Sequence, residues 1–321
     1  MTAAILWQAL HVALMLAIAP LLAGVARTVR ARLLGRRGPP LLQPYRDLRR
    51  LLQKEAIVAD TASPLLRAAP TVVLAAIAAA AALVPSFTTE MALRPTADII
   101  AVIGLLGVGR FALALAGLDA GTSFGGIGTS REIMIAVVAE PAMLLVVFTW
   151  ALLVGTTSLP AISEFGLSGA AGVRVSLALA LVALVIVALA ENARIPVDNP
   201  ATHLELTMVH EAMVLEYAGR HLALIEAAAM LKLAVYLALI AALFAPWGMA
   251  PPSGAAGGGS AGSIGIGIAA FAGKMVVGAA LLSLFETSIA KMRVFRVPEF
   301  LGVALLLGLL AMILLYMTKG F

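Results

Sequence analysis

The chain contains no cysteine in 321 residues, so it supplies no thiolate for an iron–sulfur cluster or a nickel site and no disulfide. Any redox centre it works with must belong to another polypeptide. Charge is also scarce: 12% of residues are charged against 62% hydrophobic, and the mean hydropathy is +1.05. That balance leaves too little polar surface for a water-soluble globule and implies a polytopic membrane protein. The formal net charge of +5 does not point to nucleic acid, because the bases sit in short segments beside apolar runs, as topology signals do. No internal repeat marks the chain as a duplicated transporter.

Reading for stretches of about 20 apolar residues gives eight candidate spans, near 4–26, 69–86, 98–118, 132–155, 172–192, 221–247, 264–289 and 298–318. The expected fold is all-α: a single membrane domain over 1–321 with about eight transmembrane helices and amphipathic helices on the cytoplasmic side. Connections one, three, five and seven hold ten, one, two and three bases, 16 in all, against Arg94, Arg174 and Lys319 on the other side. The positive-inside rule places the odd connections in the cytoplasm and both termini outside. No base precedes the first span and many follow it, so it reads as a retained helix, not a cleaved leader. The expected location is a bacterial or archaeal cytoplasmic (inner) membrane.

Within the first connection, residues 44–56 (PYRDLRRLLQKEA) place Leu48, Leu51 and Leu52 at helical spacing, with Arg46, Arg49, Arg50 and Lys54 on the other turns. This is an amphipathic helix suited to the inner leaflet or to a docked partner. On the opposite side, PPSGAAGGGSAGS (251–263) reads as a flexible linker, since no strand precedes its glycines.

Arg110, Glu140, Glu191, Glu226, Lys232, Lys274 and Glu286 fall within or at the margins of spans. At roughly 2.5–3.5 kcal/mol per mid-bilayer charge, seven unpaired groups would cost on the order of 20 kcal/mol, more than the ~5–15 kcal/mol that stabilises a fold. Most must be paired, hydrated or neutral. Pro141 follows Glu140, removes one backbone hydrogen bond and can open the helix beside the carboxylate. Glu226 lies about 6 Å into its span, within reach of cytoplasmic water.

The most polar insert is ENARIPVDNPATHLELTMVHEAMVLEYAGR, residues 191–220. Pro196 and Pro200 halt the preceding helix, and Asn199 or Thr202 can cap a new one over 201–217. On it, Glu205 and Glu216 share one face and His203 with His210 form another polar row, a pattern for a subunit interface or a water-filled cavity. His210 and Glu211 open an HExx string, but Val214 stands where a zinc protease needs its second histidine, so no metal site is expected. No activated nucleophile is apparent, so no catalytic residue is assigned.

Three strings in order, RRGPPLLQPYRDLRRLLQKE, AGLDAGTSFGGIGTSREIM with Glu140 and Pro141 beyond it, and the 191–220 insert, followed by FETSIAKMRVFRVPEFLG, resemble the formate hydrogenlyase subunit 4 and hydrogenase-4 component C family. These are relatives of the H subunit (subunit 1) of respiratory complex I. The resemblance spans nearly the whole chain. It implies an eight-helix heel subunit that joins a peripheral redox arm to antiporter-like membrane subunits, with acids that start an ion-coupling path. By resemblance Glu140, Glu191, Asp198, Glu205, Glu216 and Tyr217 match the family's acids and closing Glu-Tyr pair. It departs from the complex I pattern at Ala201, Thr202 and His203, where complex I relatives carry an acidic run, and so looks closer to the hydrogenase-type branch.

The candidate coupling residues are therefore Glu140, Glu191, Glu205, Glu216, Glu226, Asp198, Arg110, Lys232, Lys274 and Glu286. The candidate interface to the peripheral arm comprises Arg36, Arg37, Arg46, Arg49, Arg50, Lys54, Arg194, His203, His210 and Tyr217. Cofactors are expected in partner subunits, as iron–sulfur clusters and a nickel–iron site, with a quinone as the ligand of a second reading in which this is the quinone-pocket subunit of a complex I type dehydrogenase. A third reading is an autonomous secondary transporter.

Overall fold

A computed structural model describes residues 2–58, 62–198, 208–250, 261–289, 292 and 296–319. Among the described residues the chain is helical: α1 (Thr2–Leu33), α2 (Gln43–Leu52), α3 (Pro64–Leu83), α4 (Ile99–Asp119), α5 (Ser123–Val154), α6 (Leu159–Leu167), α7 (Val175–Glu191), α8 (His210–Val214), α9 (Gly219–Phe244), α10 (Ala261–Ser288) and α11 (Val297–Lys319). Seven of these are long and apolar enough to cross a membrane, and α7 is a shorter apolar helix of 17 residues. This is the all-α polytopic architecture that the apolar runs imply.

The helices form an up-and-down bundle with α9 at its centre, touching α1, α2, α3, α6, α7 and α10. α3 pairs with α4, α5 and α7 with α11, and α1 with α10. One end gathers the end of α1, α2, the start of α3, the ends of α4, α7 and α10, and α8. There Ser63 caps α3 and donates to Asp119 at 2.8 Å, and Arg30 reaches Glu286 at 3.8 Å. The opposite end is tied by Gln8 donating to the Ala82 carbonyl at 2.9 Å, by Arg94 with Glu164 at 3.0 Å, and by the Ala250 amide on Phe87. His11, fully buried, bridges Ser86 and the Ala81 carbonyl there.

Local deviations from the periodicity have identifiable causes. α5 begins nine residues before the apolar run at 132, because Thr122 caps the Gly125 amide and the small residues SFGGIG let α5 lie close on α4. A Cβ on Gly125 would stand 2.3 Å from the Gly117 carbonyl oxygen. Low hydropathy hides that segment from a window count, although glycine here serves close backbone approach. α5 runs through Pro141 as one helix, so the opening expected beside Glu140 does not break it. α6, not foreseen, is held by Leu159 and Ile99 exchanging backbone bonds with Ala97 and Thr157. The amphipathic segment forms α2, lying over α1 and α9 with Leu48 against the core and Arg46, Arg49 and Arg50 exposed.

The helix expected over 201–217 differs. Residues 199–207 lie outside the described residues, and the described helix is only His210–Val214. Met208 and Val209 are not helical, because tertiary partners take their backbone groups: Arg131 donates to the Met208 carbonyl at 2.6 Å and the Val209 amide donates to Asp198 at 3.2 Å. Ala218 is extended, which ends the segment before α9.

Candidate functional site: a buried charge cluster beneath a polar cavity

α7 is the element that creates the site. At 1.5 Å per residue it spans about 26 Å, short of the ~30 Å of a bilayer's apolar core, and its last residue, Glu191, ends inside the protein at 6% exposure. The chain then turns back on itself. Ala193 takes φ 48, and the amides of Ala193 and Arg194 donate to Ala190 and Leu189, closing the helix in a Schellman-type turn. The short helix and its turned-back loop leave room for a cavity under them.

Five charged side chains from four helices meet beside Glu191. Arg110 of α4 stands between α5 and α7 and donates to Glu140 at 2.6 Å and to Glu191 at 2.6 Å; Glu132 is 3.9 Å from its Nε. Lys232 of α9 lies 3.0 Å from the other oxygen of Glu191. Three of the sequence candidates, Arg110, Glu191 and Lys232, are thus one buried unit, and Glu140 joins it with its side chain 47% exposed on the bundle's flank. With all five ionised, three carboxylates face two cations, so the cluster carries one negative charge in excess and takes one proton to neutrality. Such a group is held only because its members neutralise one another, since any one left unpaired in this setting would be strongly destabilising.

Cavities lie between this cluster and the loop-bearing end. A cavity of about 380 Å³ is lined by Arg27, Arg30, Arg194, Asp198, Glu226 and Glu286, among others. A smaller one of about 60 Å³ is lined by Arg110, Glu132, Glu191 and Lys232, and the two share Asn192, Ala193, His210, Ile225 and Ala229. A third, of about 10 Å³, touches Arg110, Glu140, Glu191 and Tyr236. The three cavities lie in succession, the first two meeting at a wall that includes His210 and the last two sharing Arg110 and Glu191. Burial, and then the charge of Lys232, hold the His210 pKa down at about 4, with Asp198 and Glu191 opposing.

The other candidates take separate places. Glu286, 2% exposed, pairs with Arg194 at 3.5 Å and Arg30 at 3.8 Å in the wall of the large cavity. Burial pulls the Arg194 guanidinium below its usual range, an effect that Glu286 opposes. Asp198 also belongs to that cavity, and Glu226 lines it and a neighbouring space of about 150 Å³ with Arg27 and Asp47. Glu216 accepts from Thr122 at the α4–α5 corner, away from the cluster. Tyr217 is buried with its ring edge-on to His221 at 6.5 Å. Lys274 lies apart, midway along α10. Arg36, Arg37, Arg46, Arg49, Arg50 and Lys54 are exposed around α2. His203 and Glu205 fall outside the described residues.

Glu132 and Tyr236 are the site residues that sequence reasoning missed. Glu132 sits beside Arg131 at the edge of an apolar run and reads as interfacial, yet it is 7% exposed because α5 starts so early. The available signal was its spacing from Glu140: eight residues on a helix return to within about 80°. Tyr236, one turn after Lys232, is 1% exposed and gave no signal in an apolar run.

Comparisons with known proteins identify the family. The chain matches the NADH dehydrogenase family over residues 6–317. It is 31% identical over 295 residues to formate hydrogenlyase subunit 4 of Escherichia coli (strain K12), covering 92% of this chain and 93% of that protein. To hydrogenase-4 component C of the same organism it is 34% identical over 237 residues, 74% of each chain. Its fold superposes on a chain of the membrane-bound sulfane sulfur reductase, an archaeal respiratory membrane complex, with a TM-score of 0.80 over 97% of this chain and 98% of that one at 18% identity. The chain belongs to the NADH dehydrogenase family, as an integral membrane subunit of a complex I-related assembly.

Proposed function

We propose that this chain is the heel subunit of a hydrogenase-4 or formate-hydrogenlyase-like assembly, joining a peripheral redox arm to ion-pumping membrane subunits and coupling electron transfer to movement of protons or sodium ions. The observation that carries this reading is Arg110 holding Glu191 and Glu140 at 2.6 Å each, between a cavity open to the loop end and the flank of the bundle. A guanidinium does not release its proton in this range. Arg110 thus fixes the two acids, and the mobile charge passes between carboxylates and cavity water. The single excess negative charge of the cluster gives it a proton to take up and release. A redox-driven shift of the loop or of the arm above it would alter the water path at His210.

The loop end, with most of the bases, faces the cytoplasm in this reading, and both termini face outward. The exposed bases around α2 offer an acidic peripheral subunit its electrostatic contact. Iron–sulfur and nickel–iron centres reside in partner subunits. The large cavity is lined by charged side chains, Arg27, Arg30, Arg194, Asp198, Glu211, Glu226 and Glu286, and by apolar ones such as Ile195, Val214, Ile225 and Met230.

Glu140→Gln tests the path. In the intact assembly reconstituted in vesicles, ion movement per electron pair should fall by about tenfold or more, as loss of one proton-transfer group does, while subunit composition is unchanged. Ion movement at the parental rate would refute the relay.

A further inference from the structure

Of the three cations that fall within the apolar runs, two have acids beside them: Arg110 has Glu140 and Glu191, and Lys232 has Glu191. Lys274 does not. It is the fourteenth of the 28 residues of α10, so about 20 Å of helix lies on either side of it. Its stem cannot snorkel to headgroups from there, as it can near a helix end. Among the described residues it forms no ion pair, and its side chain is only partly covered.

α10 is the least covered of the long helices. Ile266, Val277, Leu281 and Leu284 project outward from it. Along the same outward face run Gly262, Ala269, Gly273 and Ala280, spaced seven, four and seven residues apart and aligned to within about 40°. A Cβ added at Gly262 or Gly273 meets nothing within 4 Å, so packing inside this chain does not call for glycine there. Lys274 stands on the flank of that face, about 100° around the helix from Gly273.

We infer that Lys274 and the small-residue face beside it seat a transmembrane helix of a different membrane subunit, which brings an Asp or Glu to the ammonium. Charge complementarity selects this occupant. Lipid tails offer no anion at that depth, and a second copy in two-fold contact would set lysine against lysine. The small face lets the two backbones approach closely enough for a short ion pair to be shielded from lipid. The inference rests on membership of a multi-subunit assembly and not on the ion path through Glu140.

The test uses the whole assembly purified through a tag on this chain. Lys274→Gln should lower the amount of one membrane subunit recovered per mole of this chain by roughly tenfold, as breaking a buried ion pair does. A photo-crosslinking amino acid at position 273 should join a transmembrane peptide of that same subunit with an Asp or Glu within one turn of the attachment point. Lys274→Glu combined with that acid changed to Lys should restore the recovery that each change alone lowers. Adducts with lipid only, with a second copy of this chain only, or with a peptide lacking an acid would overturn the inference, as would unchanged recovery in Lys274→Gln. Should Lys274→Gln reduce insertion of this chain itself, the crosslinked peptide decides.

Discussion

Removing Lys232 should harm the protein more than removing Glu191, although the two are partners at 3.0 Å. The reason is the charge balance of the cluster. With Arg110, Lys232, Glu132, Glu140 and Glu191 ionised the total is −1; Glu191→Gln raises it to 0, whereas Lys232→Met lowers it to −2. Glu191→Gln weakens two charge-assisted contacts and should cost about 1–3 kcal/mol. Lys232→Met leaves Glu132, Glu140 and Glu191 to share Arg110 alone and should cost about 3–5 kcal/mol. The double variant returns the total to −1 and removes both partners together, so it should cost about 1–3 kcal/mol, leaving a coupling energy of roughly 2 kcal/mol or more. Trp150, 1% exposed on α5, supplies a fluorescence signal from the buried core. Heating detergent-solubilised protein at one fixed rate should show Lys232→Met losing its fold roughly 10 °C below the parent, at about 2–4 °C per kcal/mol. A fixed rate is needed because such unfolding is commonly irreversible. Equal losses for the two single variants, or a double variant equal to their sum, would refute the reasoning.

Two backbone approaches and one titration give further checks. Gly219 has φ +54 and its added Cβ would lie 2.0 Å from the Glu55 carbonyl oxygen, while that of Gly125 would lie 2.3 Å from Gly117; each Gly→Ala change should cost about 1–3 kcal/mol. Gly126→Ala, with nothing within 4 Å, is the control and should leave the thermal midpoint unmoved or slightly raised, since alanine favours a helix over glycine. His210 is held neutral down to about pH 4, whereas the unfolded chain protonates near 6.5, so the unfolded state binds the extra proton between those values. Stability should therefore fall as pH drops through that window, by at most about 3 kcal/mol at 1.36 kcal/mol per pKa unit. His210→Gln should flatten that part of the profile, and thermal midpoints at pH 7 and 4.5 measure it.

Hydropathy alone made the spans legible, because each must satisfy its own backbone hydrogen bonds in an apolar solvent and so shows as a long apolar run. The same physics flagged Arg110, Glu140, Glu191 and Lys232, since a charge in such a run is costly wherever it sits. α5's early start was not legible, because Gly125 and Gly128 are small for the sake of α4 and α8 and lower the apparent hydropathy. Nor was the break at Met208 and Val209, whose backbone partners, Arg131 and Asp198, are distant in sequence. The pairing of Arg194 with Glu286 of α10 at 3.5 Å was hidden for the same reason, since it joins a loop base to an acid far along the chain.

Composition and periodicity determined that this is a helical membrane protein without cysteine thiolates, because transfer to lipid is a per-residue property that needs no partner. Which charges are joined, that Glu132 belongs with them, and that Lys274 stands apart were decided only by the tertiary structure. An ion pair depends on distances between helices, and no local sequence signal encodes those.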